Sequence, residues 1–183
     1  EFEERLRRAR LLMQEKKFEM LLITSPHNFR YFTGFDSYFW ESPTRPWFLL
    51  LSLDHDPIAI VPSIGKTALK KTWIKNVKTW QSPNPNDEGI TVLQDTILAI
   101  QSNQCSIGCE IGMESHLRMS IKDFQTLNTN LKNHSFVDAS PLIWKLRMIK
   151  SENEISKIKK IISIASNVFD ELPKNLQIGQ SEI

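Results

Sequence analysis

The chain has 183 residues, 40% of them hydrophobic and 24% charged, with a formal net charge of +2. That length allows one well-buried domain with an appendage, and the near-balanced charge argues against a dedicated nucleic-acid binder. The longest apolar runs, such as residues 47–51, are far too short to cross a bilayer. No basic n-region followed by an apolar h-region is visible from Glu1 onward, so no signal peptide is expected in this segment.

Phe2, Leu6, Ala9 and Met13 recur at helical spacing among Glu and Arg, which predicts an amphipathic first helix. Residues 20–24 read as a short buried strand. Ser25-Pro26 follows, and Pro suits a first helical turn, so residues 27–32 are expected to coil until Gly34 ends them. Residues 47–53 and 57–61 read as two strands of a hairpin joined through Asp54-His55-Asp56. A helix over 64–73 and a strand over 77–80 come next, then a loop through Ser82-Pro-Asn-Pro-Asn86. Asp87 or Thr91 starts a helix carrying Val92, Ile97 and Ile100. A strand over 106–111, a helix over 116–131 and a strand over 135–138 complete the series. Strands alternating with helices around one hairpin imply an α/β fold with a mixed β-sheet flanked by helices.

Beyond Asp138 the pattern changes. Ser140-Pro141 starts a short helix through Arg147, and Ser151-Glu-Asn-Glu154 has the form of a capping box. Ile155, Ile158, Ile162, Ala165, Phe169 and Leu172 then recur at helical spacing up to Pro173. This stripe needs a partner surface, and the expectation is the first helix of a second domain that the chain cuts off.

Cys105 and Cys109 would lie about 13 Å apart in an extended segment, beyond disulfide reach. Two reduced thiols fit a cytoplasmic protein. Asp54-His55-Asp56 is better explained as a turn than as a metal cluster, because neighbouring side chains diverge and a site needs converging ligands. Gly65-Lys66-Thr67 opens a helix as a phosphate loop would, but Ile60 occupies the position where such a loop needs glycine. A nucleotide-binding α/β protein is disfavoured for that reason. His27, His55, His116 and His134 belong to no nucleophile or zinc spacing. Glu110, Glu114 and His116 either face a cleft at a strand end or form the polar start of a helix capped by Ser115. The lysines at 66, 70, 71, 75 and 78 read as a solvated helix face. Lys145, Arg147 and Lys150 complement a helix C-terminus.

The connection over 35–48, FDSYFWESPTRPWF, combines aromatics with Glu41 and Arg45, the composition of interface hot spots and ligand caps. Its prolines and central polar run make complete burial unfavourable, since buried backbone groups need partners.

Met20-Leu-Leu-Ile-Thr24 followed by Asn28-Phe-Arg-Tyr-Phe-Thr-Gly-Phe35 resembles the N-terminal domain of the creatinase/prolidase/aminopeptidase P family. The distant Leu146-Arg-Met-Ile-Lys-Ser-Glu-Asn-Glu-Ile155 is similar to the stretch where that family joins this domain to its catalytic one. The resemblance implies a ribonuclease H-like α/β domain over 1–140, then, over 141–183, a linker and the first helix of a truncated pita-bread metallohydrolase domain. It also implies that the whole protein is a metal-dependent Xaa-Pro peptidase or related C–N hydrolase. Its catalytic domain would hold two divalent metal ions (Mn, Co or Zn) through two Asp, one His and two Glu, none of them assignable in this segment. The segment itself is expected to carry no cofactor and no catalytic residue. Homodimerisation is implied, as are a small peptide or amino-acid-derived substrate and no nucleic-acid or membrane partner. In several members the N-terminal domain lends side chains to a neighbouring subunit's active site. The matching candidates here are Tyr38, Phe39, Trp40, Glu41 and Arg45, the aromatics walling a hydrophobic substrate and Arg45 pairing with its carboxylate. The alternative is a stand-alone binding or regulatory module that offers the aromatic loop 35–48 to a protein partner.

Overall fold

Helix α1, Phe2–Lys16, buries Leu6, Ala9 and Met13 as its spacing requires, in a computed structural model that describes residues 1–38, 42 and 45–181. Strand β1, Met20–Ile23, is buried throughout, as a continuous apolar run covered on both faces should be. Helix α2, Pro26–Thr33, opens with Pro in its first turn and ends at Gly34, whose φ is 75°. Only glycine adopts that conformation readily, and a Cβ there would also stand 2.6 Å from the Phe2 ring. Strands β2, Phe48–Ser52, and β3, Ile58–Pro62, form the expected antiparallel hairpin. Helix α3, Lys66–Leu69, is a single turn, followed by β4, Asn76–Trp80, and α4, Ile90–Ile100. Strand β5, Ser106–Cys109, helix α5, Ile121–Asn130, strand β6, Ser135–Asp138, and helix α6, Ser140–Met148, complete the α/β pattern.

The sheet has the order β4-β3-β2-β1-β5-β6. β2 pairs antiparallel with β1 and β3, whereas β1–β5, β5–β6 and β3–β4 are parallel. β2 therefore runs against every other strand. Because side chains alternate across a strand, the sheet serves two cores. Leu21, Ile23, Leu49, Leu51 and Val61 pack with residues of α1, α2 and α6 on one face. Met20, Leu22, Phe48, Leu50 and Ile107 pack with Leu93, Ile97 and Leu127 on the other.

Two helices differ from their expected spans. The 64–73 helix stops at Leu69, because Thr72 Oγ1 donates to the Leu69 carbonyl at 2.7 Å and accepts from Ile74 N at 3.2 Å. Trp73 Nε1 meanwhile donates to Phe32 O at 2.8 Å. These bonds replace the next helical turn. The helix expected from His116 begins only at Ile121, and its cap is Ser120, not Ser115: Ser120 Oγ accepts from Asp123 N at 3.0 Å. Arg118 N is already committed to Thr24 Oγ1 at 3.0 Å, so the preceding stretch is held as loop.

The chain divides into two units, Glu1–Leu146 and Arg147–Ile183. Helix α7, Glu152–Asn175, lies in the second and opens with both halves of the capping box: Ser151 Oγ accepts from Glu154 N, and Glu154 Oε2 accepts from Ser151 N. None of its residues is buried; Ile162 is 58% and Phe169 71% exposed.

Cys105 and Cys109 are both free and buried. Burial, with a contribution from the Glu19 charge, pushes the Cys105 thiol up to about 11. Burial raises Cys109 further, helped by Glu110 and Asp138. Since the thiolate is the reactive form, neither should react with an aromatic disulfide reagent at pH 8 until denaturant is added. Absorbance of the released thiolate checks this; rapid native labelling would contradict it.

Candidate functional site

Five strands end, and the antiparallel β2 begins, along one edge of the sheet. In open α/β sheets this carboxyl-end edge is where ligands bind. Residues 24–28 follow β1 here, residues 45–47 lead into β2, residues 81–89 follow β4, and residues 110–119 follow β5.

Glu110 is 1% exposed and joins two of these segments. Its Oε2 accepts from Thr24 N at 2.6 Å, Thr24 Oγ1 at 3.1 Å and Ser25 N at 2.9 Å. Its Oε1 accepts from Ser25 Oγ and from Asn28 Nδ2. A carboxylate offers about four lone-pair sites, so Glu110 has little capacity left to act as a base. His27 Nε2 lies 3.3 Å from Ser25 Oγ, but the hydroxyl donates to Glu110. A nucleophilic serine needs the opposite polarity, with its proton aimed at the histidine. The cluster is therefore a clasp that fixes the β1–α2 turn to the end of β5. The sequence placed Glu110 with Glu114 and His116; in the structure Glu110 is buried while the other two are exposed.

The 35–48 connection divides sharply. Phe35 stacks on Trp47 with ring centroids 5.1 Å apart, and Phe29 meets Trp47 edge-on at 6.2 Å. Phe35, Trp47 and Phe48 are buried, so the two ends of the connection belong to the core. The reason is that aromatic pairing joins the two ends into a stem. Beyond it, Asp36 Oδ2 pairs with Arg30 Nη1 at 2.6 Å, and Tyr38 is 93% exposed. Phe39, Trp40 and Glu41 lie outside the described residues.

Arg45 is half-buried, and its Nε is buried with no hydrogen-bond partner among the described residues. Its charge acts on Glu88, a residue that sequence reasoning missed. Glu88 accepts from Trp80 Nε1 at 3.1 Å, Ser82 Oγ at 2.8 Å and Asn84 N at 2.7 Å. Burial alone would raise its pKa, but these hydrogen bonds and the Arg45 charge prevail and hold it below the ordinary 4.5. A carboxyl whose folded pKa is lowered adds stability that is complete above its unfolded pKa and lost as pH falls through the folded value. Glu88→Gln should therefore be less stable than the parent chain at pH 7, with the gap closing below about pH 4.5. Thermal melts from pH 3 to 7 check the convergence; a constant gap would contradict it.

Among the described residues, no group of three or more His, Cys, Asp or Glu is placed to hold a metal ion. The described residues do not fit a two-metal centre. No helix among the described residues is long and apolar enough to cross a membrane.

Comparison with known proteins places this geometry in a family. The model of the creatinase/prolidase N-terminal domain matches residues 5–149. An uncharacterized hydrolase/peptidase of Sinorhizobium fredii, y4tM, is 27% identical over 166 residues, covering 87% of this chain and 41% of the relative. A recombinant prolidase from Thermococcus sibiricus superposes with a TM-score of 0.80 at 22% identity, covering 100% of this chain and 46% of that one. A Creatine_N superfamily domain of a dipeptidase from Streptococcus thermophilus superposes with a TM-score of 0.61 at 21% identity, covering 78% of this chain and 98% of that one. The chain thus spans less than half the length of y4tM and of the Thermococcus prolidase. With its mixed six-stranded sheet and the match over residues 5–149, it belongs to the creatinase/prolidase N-terminal domain family.

Proposed function

We propose that residues 1–140 are the non-catalytic N-terminal domain of a metal-dependent Xaa-Pro peptidase or creatinase-type hydrolase. Residues 141–183 are its linker and the first helix of its catalytic domain. The observation that carries this reading is the family match over residues 5–149 in a chain that spans 41% of y4tM. The unburied isoleucine stripe of α7 supports it, because an amphipathic helix gains most of its stability by packing that stripe.

In this reading the domain builds a homodimer and caps a neighbouring subunit's active site in the cytoplasm. Tyr38, with Phe39, Trp40 and Glu41, forms the wall of the cap, and Arg45 pairs with the carboxylate of a small peptide or amino-acid-derived substrate. The stem of Phe35 and Trp47 favours such a role, since a cap works only when its backbone is held in place. The metal pair and the hydrolytic chemistry reside in the catalytic domain, outside these residues.

The coding sequence downstream of Ile183 tests the domain assignment. A continuation that supplies two Asp, one His and two Glu as ligands supports it; a stop codon with no such domain contradicts it. Light scattering on the 183-residue chain tests the assembly, with a dimer expected and a strict monomer counting against it.

A further inference from the structure

At the far end of the same edge, the parallel neighbours β5 and β6 open a cleft that the capping role leaves unused. It has a volume of about 440 Å³ and is lined by Met113, Glu114, Asp138, Ser140, Pro141 and Trp144. Its walls are fixed by hydrogen bonds. Ser140 N donates to Asp138 Oδ1 at 2.9 Å, Gly112 N to Ser140 Oγ at 3.2 Å, and Ser115 N to Gly112 O at 3.2 Å. Gly112 lies directly against the Asp138 carboxylate, so any side chain there would collide with it. Glu114 sits in the left-handed region at φ 53°, a conformation costly for a non-glycine residue that persists only where its surroundings impose it.

The lining selects one kind of ligand. Asp138 and Glu114 have no ion-pair partner among the described residues, and together they repel anions. Glu114 and Asp138 belong to no group of three or more His, Cys, Asp or Glu placed to hold a metal ion among the described residues. Beside Ser140, the remaining walls are apolar, and two of them are polarisable: Met113 is 86% and Trp144 45% exposed. An indole face attracts ammonium groups through its quadrupole, tryptophan most strongly of the aromatics, and a thioether accommodates alkyl groups of varied shape. The volume lies within the range typical of small-molecule sites, about 300–1,000 Å³.

We propose that this cleft binds a small organic ammonium ion with a short apolar body, its charge between Glu114 and Asp138 and its alkyl part on Trp144 and Met113. The inference rests on these residues alone and is independent of the capping role.

Its test is a titration of the isotopically labelled 183-residue chain with n-butylammonium chloride, followed by NMR at the Trp144 indole N–H. That signal is assigned by its loss in Trp144→Phe. A saturable shift is expected, with affinity weakened about tenfold in Glu114→Gln and again in Asp138→Asn, as loss of a charge-assisted contact implies. Butanol, butyrate and sodium chloride at matched concentrations should leave the signal in place. No saturable shift, an equal response to butanol, or unchanged affinity in Glu114→Gln would overturn the proposal. Glu114 is exposed, so that variant remains decisive even where Asp138→Asn fails to fold. A shift that grows with protein concentration before any amine is added would put a lysine of a second copy in the cleft, and would overturn the assignment to a free small cation.

Discussion

Replacing Glu110 with alanine is expected to lower the stability of the Glu1–Leu146 unit by about 3–4 kcal/mol, near 10 °C in Tm for a domain of this size. The substitution strips the acceptor from two backbone amides, two hydroxyls and the Asn28 side chain. Each buried donor left without a partner costs about 1–3 kcal/mol, offset where the site relaxes or admits water. Glu110→Gln should be milder, because one amide oxygen still accepts while the new NH2 group faces donors. The order parent, Gln, Ala in thermal melts is the distinguishing result. If alanine cost under about 1 kcal/mol, the ordinary range for an exposed site, the clasp would not be holding the turn.

The second large effect concerns Arg45 in the full-length hydrolase proposed above. If its guanidinium pairs with the substrate carboxylate across the subunit boundary, Arg45→Ala should cut kcat/KM by about 10- to 100-fold, the size of a charge-assisted hydrogen-bonded contact. The loss should fall on KM more than on kcat, because a carboxylate remote from the scissile bond is bound alike in ground and transition states. Lysine should restore only part of it, since a point charge cannot reproduce the bidentate fork. An unchanged kcat/KM would remove Arg45 from the substrate site. Melting curves of the isolated chain separate this from a structural cause: Arg45 also faces Glu88, and a purely structural role would lower Tm without moving KM.

Local pattern was enough to place most elements. The spacing of Phe2, Leu6, Ala9 and Met13, the apolar run at 20–24 and the hairpin around 54–56 each reflect short-range rules of burial and turn chemistry, and the structure follows them. The helix over 116–131 failed at its start because Ser120 and Asp123 form a better cap than Ser115, and because the stretch before it is tied to Thr24, 94 positions away in sequence. Glu110 was seen as a polar residue beside a strand, but its partners lie 82 to 86 positions earlier. Only the parallel pairing of β1 with β5 brings them together, and no local signal encodes that pairing. Glu88 went unnoticed for a different reason: its donors are close in sequence, but a Pro-Asn-Pro loop gives no periodic signal. In the 35–48 connection the sequence held the right residue types. It could not tell that Phe35 and Trp47 meet as a stem.

In the function proposed above, this chain is a supporting domain whose hydrolytic chemistry lies elsewhere in the protein. The most direct test is Xaa-Pro dipeptide hydrolysis by the purified 183-residue chain with Mn²⁺ added. No turnover above the metal-only blank is expected. Sustained turnover that chelation abolishes would contradict the account.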